Sequence, residues 1–325
     1  MSTLLDRADS RASVSPAQWF RETTAAVRVS FTWFGVRKSL TNEQKIQAAE
    51  SFGAEGEYLS ARKKIIDTKH AAYKEVTTVR GKVVAYWKSL TLPYPEPGIR
   101  LIRQHQIDVF NNQMIDYRSE LDQAVAKLDQ HYAELKRTAQ RRLGELFNAA
   151  DYPLSLRGLF AVDCDFPNVE PPDYLCQLNP AIYEQEKARV ASRFEQAVSL
   201  AEQAFISEFG KLIEHLTERL SSSGDGERKI FRDSAITNLT EFFNRFRDLN
   251  VRSNEDLDSL VERAQQIVSG VEPQALRDNS GLRNQITTQL SHVQSVIDGM
   301  LVDQPRRRII RAQPSTNGET HGTGN

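Results

Sequence analysis

Apolar residues recur along this chain at two spacings, and each spacing predicts a different kind of element. Between positions 27 and 35, Val27, Val29, Phe31 and Trp33 alternate with Arg28, Ser30 and Thr32 before Gly35, the period-two pattern of a half-buried strand. A second alternation sets Phe160, Val162, Cys164 and Phe166 against Ala161, Asp163 and Asp165. A strand must pair its backbone groups, so the two segments are expected to form one small two-stranded sheet.

The other apolar positions step by three and four. Thr41 with Gln44 has the spacing of a capping box and opens a helix that closes at Phe52 and Gly53. "LSARKKIID" and "AAYKEVTTVRGKVVAYWKSL" are expected to be further helical pieces, the second carrying Tyr73, Val76, Val79, Val83 and Trp87. From Ile107 the series Phe110, Met114, Tyr117, Leu121, Val125, Leu128, Tyr132, Leu135, Ala139, Leu143 and Phe147 predicts one helix of roughly 60 Å. Another begins near Pro180 and runs through Tyr183, Val190, Phe194, Val198, Ala201, Phe205, Phe209, Leu212 and Leu216 to Leu220. Both seams approach the heptad period. Neither can bury itself alone, so the pair is expected to form a long antiparallel, coiled-coil-like hairpin. Three shorter amphipathic helices follow, marked by Phe231 to Leu249, Ser253 to Gly270 and Leu282 to Gly299.

The expected fold is therefore mainly α: a long helical hairpin, a two-stranded sheet and a C-terminal helical bundle. Its divisions are a flexible leader over 1–24, a strand with short helices over 25–103, and the hairpin over 104–220 with a strand-containing insert at 149–181. C-terminal helices occupy 221–302, and a basic, then disordered, tail occupies 303–325. The stretch "LTLPYPEPGIRLI" at 90–102 is expected to be a rigid corner before the first long helix, since Pro93 takes Leu92 out of helical geometry.

Composition narrows the function classes. The 325 residues include 42 basic and 43 acidic side chains, so no whole-molecule charge draws the chain to nucleic acid or to an anionic membrane. Apolar runs of only a few residues predict no membrane span, and the polar start carries no secretory signal core. The two cysteines, Cys164 and Cys176, stand apart from CxxC spacing, which suits a reduced cytoplasmic protein.

Candidate chemistry is sparse. Six scattered histidines form no HExxH, and no phosphate loop or nucleophile elbow is written in the chain, so neither cofactor nor metal is expected. Asp163 and Asp165 share a strand face near Glu170, the arrangement of a cation site or acid/base pair, although alternation alone also puts them on a solvated face. Basic clusters at 61–64, 136–142 and 306–311 are candidate phosphate contacts, the last through Arg306, Arg307 and Arg308. In the proline stretch, Glu96, Arg100 and Arg103 form a candidate docking point for a partner.

Several segments taken together, "VSFTWFGVRKSLT", "LSARKKIIDTKHAAYK", "VRGKVVAYWKSLTLPYPEPG", the long helical pair and "FRDSAITNLTEFFNRFRDLN", resemble an uncharacterised bacterial and phage helical family, domain of unknown function thirty-one fifty. The resemblance covers about residues 25 to 300. Members are often encoded beside MoxR/CobS-like AAA ATPases and von Willebrand A-type proteins, so it implies an accessory or adaptor role next to an ATPase. The proline stretch is richer than the short glycine–proline turn of that family. The leading expectation is a non-enzymatic interaction protein with a protein partner and self-association through exposed seams. The alternative is a nucleic-acid-binding protein that uses the three basic clusters.

Overall fold

A computed structural model describes residues 15–221 and 233–302. Two compact units divide the chain. Of the described residues, one holds those up to Phe205 together with Thr240–Ser259, and the other holds those from Ile206 to Leu239 and from Leu260 onward.

In the first unit, α1 (Pro16–Thr23) begins where a flexible leader was expected. The Ser15 side chain accepts from the Gln18 amide, and Pro16 occupies a first-turn position where a missing donor costs nothing. The chain enters β1 (Thr24–Thr32), then β2 (Arg37–Ser39) and α2 (Asn42–Glu50). The expected capping box is present in both directions between Thr41 and Gln44. The segment at 61–66 is not helical. It forms β3 (Arg62–Lys64), paired antiparallel to β2. Its apolar residues Ile65 and Ile66 sit side by side without a helical return, and pairing with β2 satisfies its backbone instead.

Helix α3 (Ala71–Leu90) is followed by β4 (Thr91–Pro93) and β5 (Ile99–Arg103), so the proline stretch is a β-hairpin and not a free corner. Glu96, Pro97, Gly98 and Ile99 make its turn. The Ile99 amide donates to the Glu96 carbonyl at 3.2 Å, proline stands at the second position, and Gly98 takes φ +81° at the third. That is a type II turn, whose third position excludes most residues with a Cβ. The sheet therefore has four strands, not two, in the order β4-β5-β1-β6, where β6 is Ala161–Asp165. The expected pairing of the two alternating segments holds within it: Val29 faces Cys164 and Phe31 faces Val162.

The forty-residue helix breaks at His131 into α4 (Ile107–Gln130) and α5 (Tyr132–Leu143). The His131 amide donates to Leu128 O, three residues back, which tightens one turn without moving the seam off the core. Tyr132, Leu135 and Ala139 stay buried. The helix lying along α4 is α3, with Lys127 paired to Glu75 and Lys82 to Glu120, so the two run antiparallel. Val76, Val79 and Val83 of α3 join Phe110, Met114, Leu121 and Val125 of α4 over the sheet face that carries Val27, Val29 and Ile102. Burying the α4 seam on α3 and the sheet removes the need for the expected long-helix partner. The opposite sheet face presents Ala26, Leu92, Ile99 and Leu101, all buried.

After β6 the chain forms the short α6 (Tyr174–Leu178) and the 41-residue α7 (Pro180–Leu220). On α7, Phe194 packs edge-on against Phe20 of α1 and Tyr94 of the hairpin. The later helices are α8 (Ser234–Leu249), α9 (Glu255–Val268), the short α10 (Pro273–Asp278) and α11 (Ser280–Val302). The second unit buries Phe209, Ile213 and Leu216 of α7 and Ile286, Leu290, Val293 and Ile297 of α11. Gly210 lets α11 approach closely, since a Cβ there would meet Ile297 Cγ2 at 3.1 Å. The chain is thus mainly helical with a small antiparallel sheet. Among the described residues no helix is long and apolar enough to cross a membrane.

Candidate anion-binding cleft

The residue proposed for exposed docking at the end of β5 is instead nearly buried. Arg103 is 5% exposed. It pairs with Thr24 across the β1–β5 ladder, and this register turns its side chain toward the α1 side of the sheet. There the guanidinium lies over the Trp19 ring, 4.1 Å from its centroid. Its terminal nitrogens donate to Thr23 Oγ1 at 3.2 Å, Leu249 O at 3.2 Å and Asn250 O at 3.0 Å. The last two carbonyls close α8, so the cation sits on the negative end of that helix. Burial pushes the Arg103 pKa down, but a guanidinium remains charged. Among the described residues no carboxylate lies within ion-pair distance of it, and its Nε, also buried, has no partner. A buried cation compensated by carbonyl and hydroxyl dipoles and a ring face, and by no carboxylate among the described residues, is a site short of negative charge.

Arg103 forms part of the wall of a cleft of about 870 Å³ between α1, the turn at Gln104–Gln106 before α4, and the end of α8 with the loop after it. Arg247 and Arg252 line the same space together with His105. Asp248 is the acidic residue of the lining, and Arg247 Nε lies 3.7 Å from its carboxylate. The loop is built around Asn250, whose carbonyl receives Arg103. Its side-chain oxygen accepts from the Arg252 amide at 2.9 Å, and its side-chain nitrogen donates to Asp258 at 2.6 Å. Arg252 is held at φ +53°, a left-handed conformation uncommon for a residue with a Cβ. Such strain persists only where the surroundings over-determine it, as this asparagine does. An anion in the cleft would find a fixed buried guanidinium, two exposed ones and an aromatic wall.

The other candidate residues lie elsewhere. Glu96 is paired with Arg193 of α7 at 3.3 Å. Arg100 turns inward, donating to the Thr91 hydroxyl and carbonyl, each at 2.7 Å, and burial lowers its pKa to about 10, still charged at neutral pH. Glu96, Arg100 and Arg103 are therefore not one exposed patch, because the hairpin register sends the two arginines to opposite sheet faces. Arg306, Arg307 and Arg308 fall outside the described residues.

Of the acidic candidates, Asp165 and Glu170 are each taken up by an arginine. Asp165 is held by Arg28, at 2.5 and 3.0 Å, and this hydrogen bonding lowers its pKa. Glu170 is held by Arg21. No group of three metal-ligating side chains occurs among the described residues. The His131 ring lies 5.1 Å from His70. Trp19, Arg247 and Arg252 carry no signal in the sequence, since roughly 80 to 150 positions separate them from Arg103 and no motif spans that interval. No family model matches the chain, and no curated protein or solved structure matches it.

Proposed function

We propose that this chain is a helical interaction protein, and that its cleft at Arg103 receives an acidic side chain or terminus from a protein partner. One observation carries the reading: Arg103 is almost fully buried, positively charged and without a carboxylate counter-ion among the described residues, at the wall of a cleft that two further arginines line. Guanidinium groups do not release protons near neutral pH, so such a cleft suits holding an anion better than acid/base turnover. The accessory role beside an AAA ATPase that the family resemblance implies is consistent with this chemistry. On this reading the partner supplies an acidic segment in a reducing cytoplasm.

Calorimetric titration with a hexaglutamate peptide tests the proposal, with hexaserine as the uncharged comparison. Arg247→Ala and Arg252→Ala together are expected to weaken hexaglutamate binding at least tenfold, while Glu96→Lys, which alters a residue outside the cleft lining, leaves it unchanged. Binding equal in all three proteins, or none at low salt, would overturn the proposal.

A further inference from the structure

A second surface stands apart from the cleft, on the excursion β2–α2–β3. In the β2–β3 ribbon Arg37 lies directly opposite Lys64, and Lys38 opposite Lys63, with Arg62 two positions along from Lys64. Like charges facing across two strands destabilise a pair, and a two-stranded ribbon this short has little stability to spare. Only Lys63 is neutralised. It is 8% exposed, donates to Leu146 O at 2.7 Å and meets Asp151 at 2.8 Å, which ties the ribbon to the end of α5. Arg37, Lys38, Arg62 and Lys64 are exposed and have no ion pair or side-chain hydrogen bond among the described residues.

The same excursion displays two aromatic rings almost completely. Phe52 is 84% exposed and Tyr58 is 88% exposed, next to a body that buries most of its large apolar side chains. The loop that carries Tyr58 is packed hard onto α2. A Cβ on Gly56 would fall within 2.9 Å of Ile46 backbone atoms, so the turn before Tyr58 is held in place. Helix α2 has nine residues and spans about 14 Å, which puts the rings a few nucleotides' reach from the ribbon. The acidic residues of the excursion, Glu43, Glu50, Glu55 and Glu57, belong to α2 and the turns around these rings, not to the ribbon.

We infer that this excursion binds single-stranded nucleic acid, with backbone phosphates on the ribbon cations and bases stacked on Phe52 and Tyr58. Cations on a fixed ribbon with aromatic rings beside them are the two components such binding uses. The glutamates beside the rings repel phosphate and so set the direction: sugar-phosphate toward β2–β3, base faces toward α2.

Fluorescence anisotropy of a labelled fifteen-nucleotide oligo-dT, with the full chain at several salt concentrations, tests this inference. Three phosphate contacts, to Arg37, Arg62 and Lys64 on one face of the ribbon, predict a slope of log K against log salt near −2, from about 0.7 per contact on a single strand. Arg37→Ala with Lys64→Ala should cut that slope to about a third. Phe52→Leu and Tyr58→Leu, which keep apolar bulk but remove the ring, should each weaken binding by about fivefold to a hundredfold without changing the slope. All of these side chains are exposed, so the variants keep the fold, as circular dichroism would check. No binding at low salt, a slope untouched by the ribbon variants, or full affinity in the leucine variants would each overturn the inference. Equal affinity for vesicles of anionic lipid, lost with the same variants, would reassign the surface to membranes and overturn it too.

Discussion

Replacing Arg103 by methionine separates its two jobs, holding α8 in place and presenting positive charge to the cleft. Methionine fills a similar volume, so little cavity cost enters. What disappears is a set of three hydrogen bonds at 3.0–3.2 Å and a cation over an indole ring at 4.1 Å. Hydrogen bonds from a charged donor contribute about 1.5–3 kcal/mol each, and the ring contact adds about 1 kcal/mol. Against that stands the desolvation of the guanidinium, several kcal/mol, which the variant recovers. The expected net loss is about 2–4 kcal/mol, most of it from Leu249 O and Asn250 O left without a donor. Urea unfolding followed by circular dichroism would read it. Hexaglutamate at a hundred times its Kd should then stabilise the wild-type protein by about 2.7 kcal/mol and the variant by nearly nothing. A variant within about 0.5 kcal/mol of wild type would show that Arg103 is no strut. A variant that gains as much from the peptide would show that the cleft does not use it.

Three further outcomes follow from the packing and the ion pairs. Phe110→Ala removes a fully buried ring stacked 5.9 Å from Tyr86 and should cost about 3–5 kcal/mol; in a double-mutant cycle the pair should couple by about 0.5–1.5 kcal/mol, whereas zero coupling would refute the α3–α4 pairing. Asp151→Asn strands Lys63 in a site where it is 8% exposed and should destabilise by about 3–5 kcal/mol in chemical denaturation, more than Lys63→Met, which leaves no buried cation behind. Asp165 has its pKa lowered by hydrogen bonding to Arg28, so its share of stability is present above the usual carboxylate pKa and fades as pH falls through the lowered value; Asp165→Asn should flatten the acid limb of a stability–pH profile without altering the neutral plateau's shape.

Much of the local structure was legible in the residues themselves. The alternation at 27–33 and 160–166, the Thr41–Gln44 cap and the long periodic run to Leu220 each depend on neighbours a few positions away, and each appears as an element with about the expected limits. What misled was local pattern that tertiary pairing overruled. Three prolines and a glycine read as a corner, yet a type II turn at Pro97–Gly98 folds the same residues into a hairpin whose strand β5 completes the sheet beside β1. The cluster at 61–64 had helical composition, but β2 offered its backbone partners.

The partner of each buried face was decided only by the tertiary structure. Periodicity says that the α4 seam must be covered and not by what, because Leu, Val and Phe pack against any apolar surface of matching shape; α3, joined to it by a short hairpin, supplies that surface in place of α7. The candidate cleft belongs to the same class. Arg103 stood out in the sequence as a charge beside prolines, with Glu96 and Arg100 as its neighbours. In space its neighbours are Trp19, Arg247 and Arg252, brought together because strand alternation turns Arg103 away from Arg100 and because the end of α8 offers two carbonyls to a buried cation. Spacing along a chain encodes which residues share an element's face. The charge balance of a cleft depends on which faces meet, and that is settled only when the elements pack.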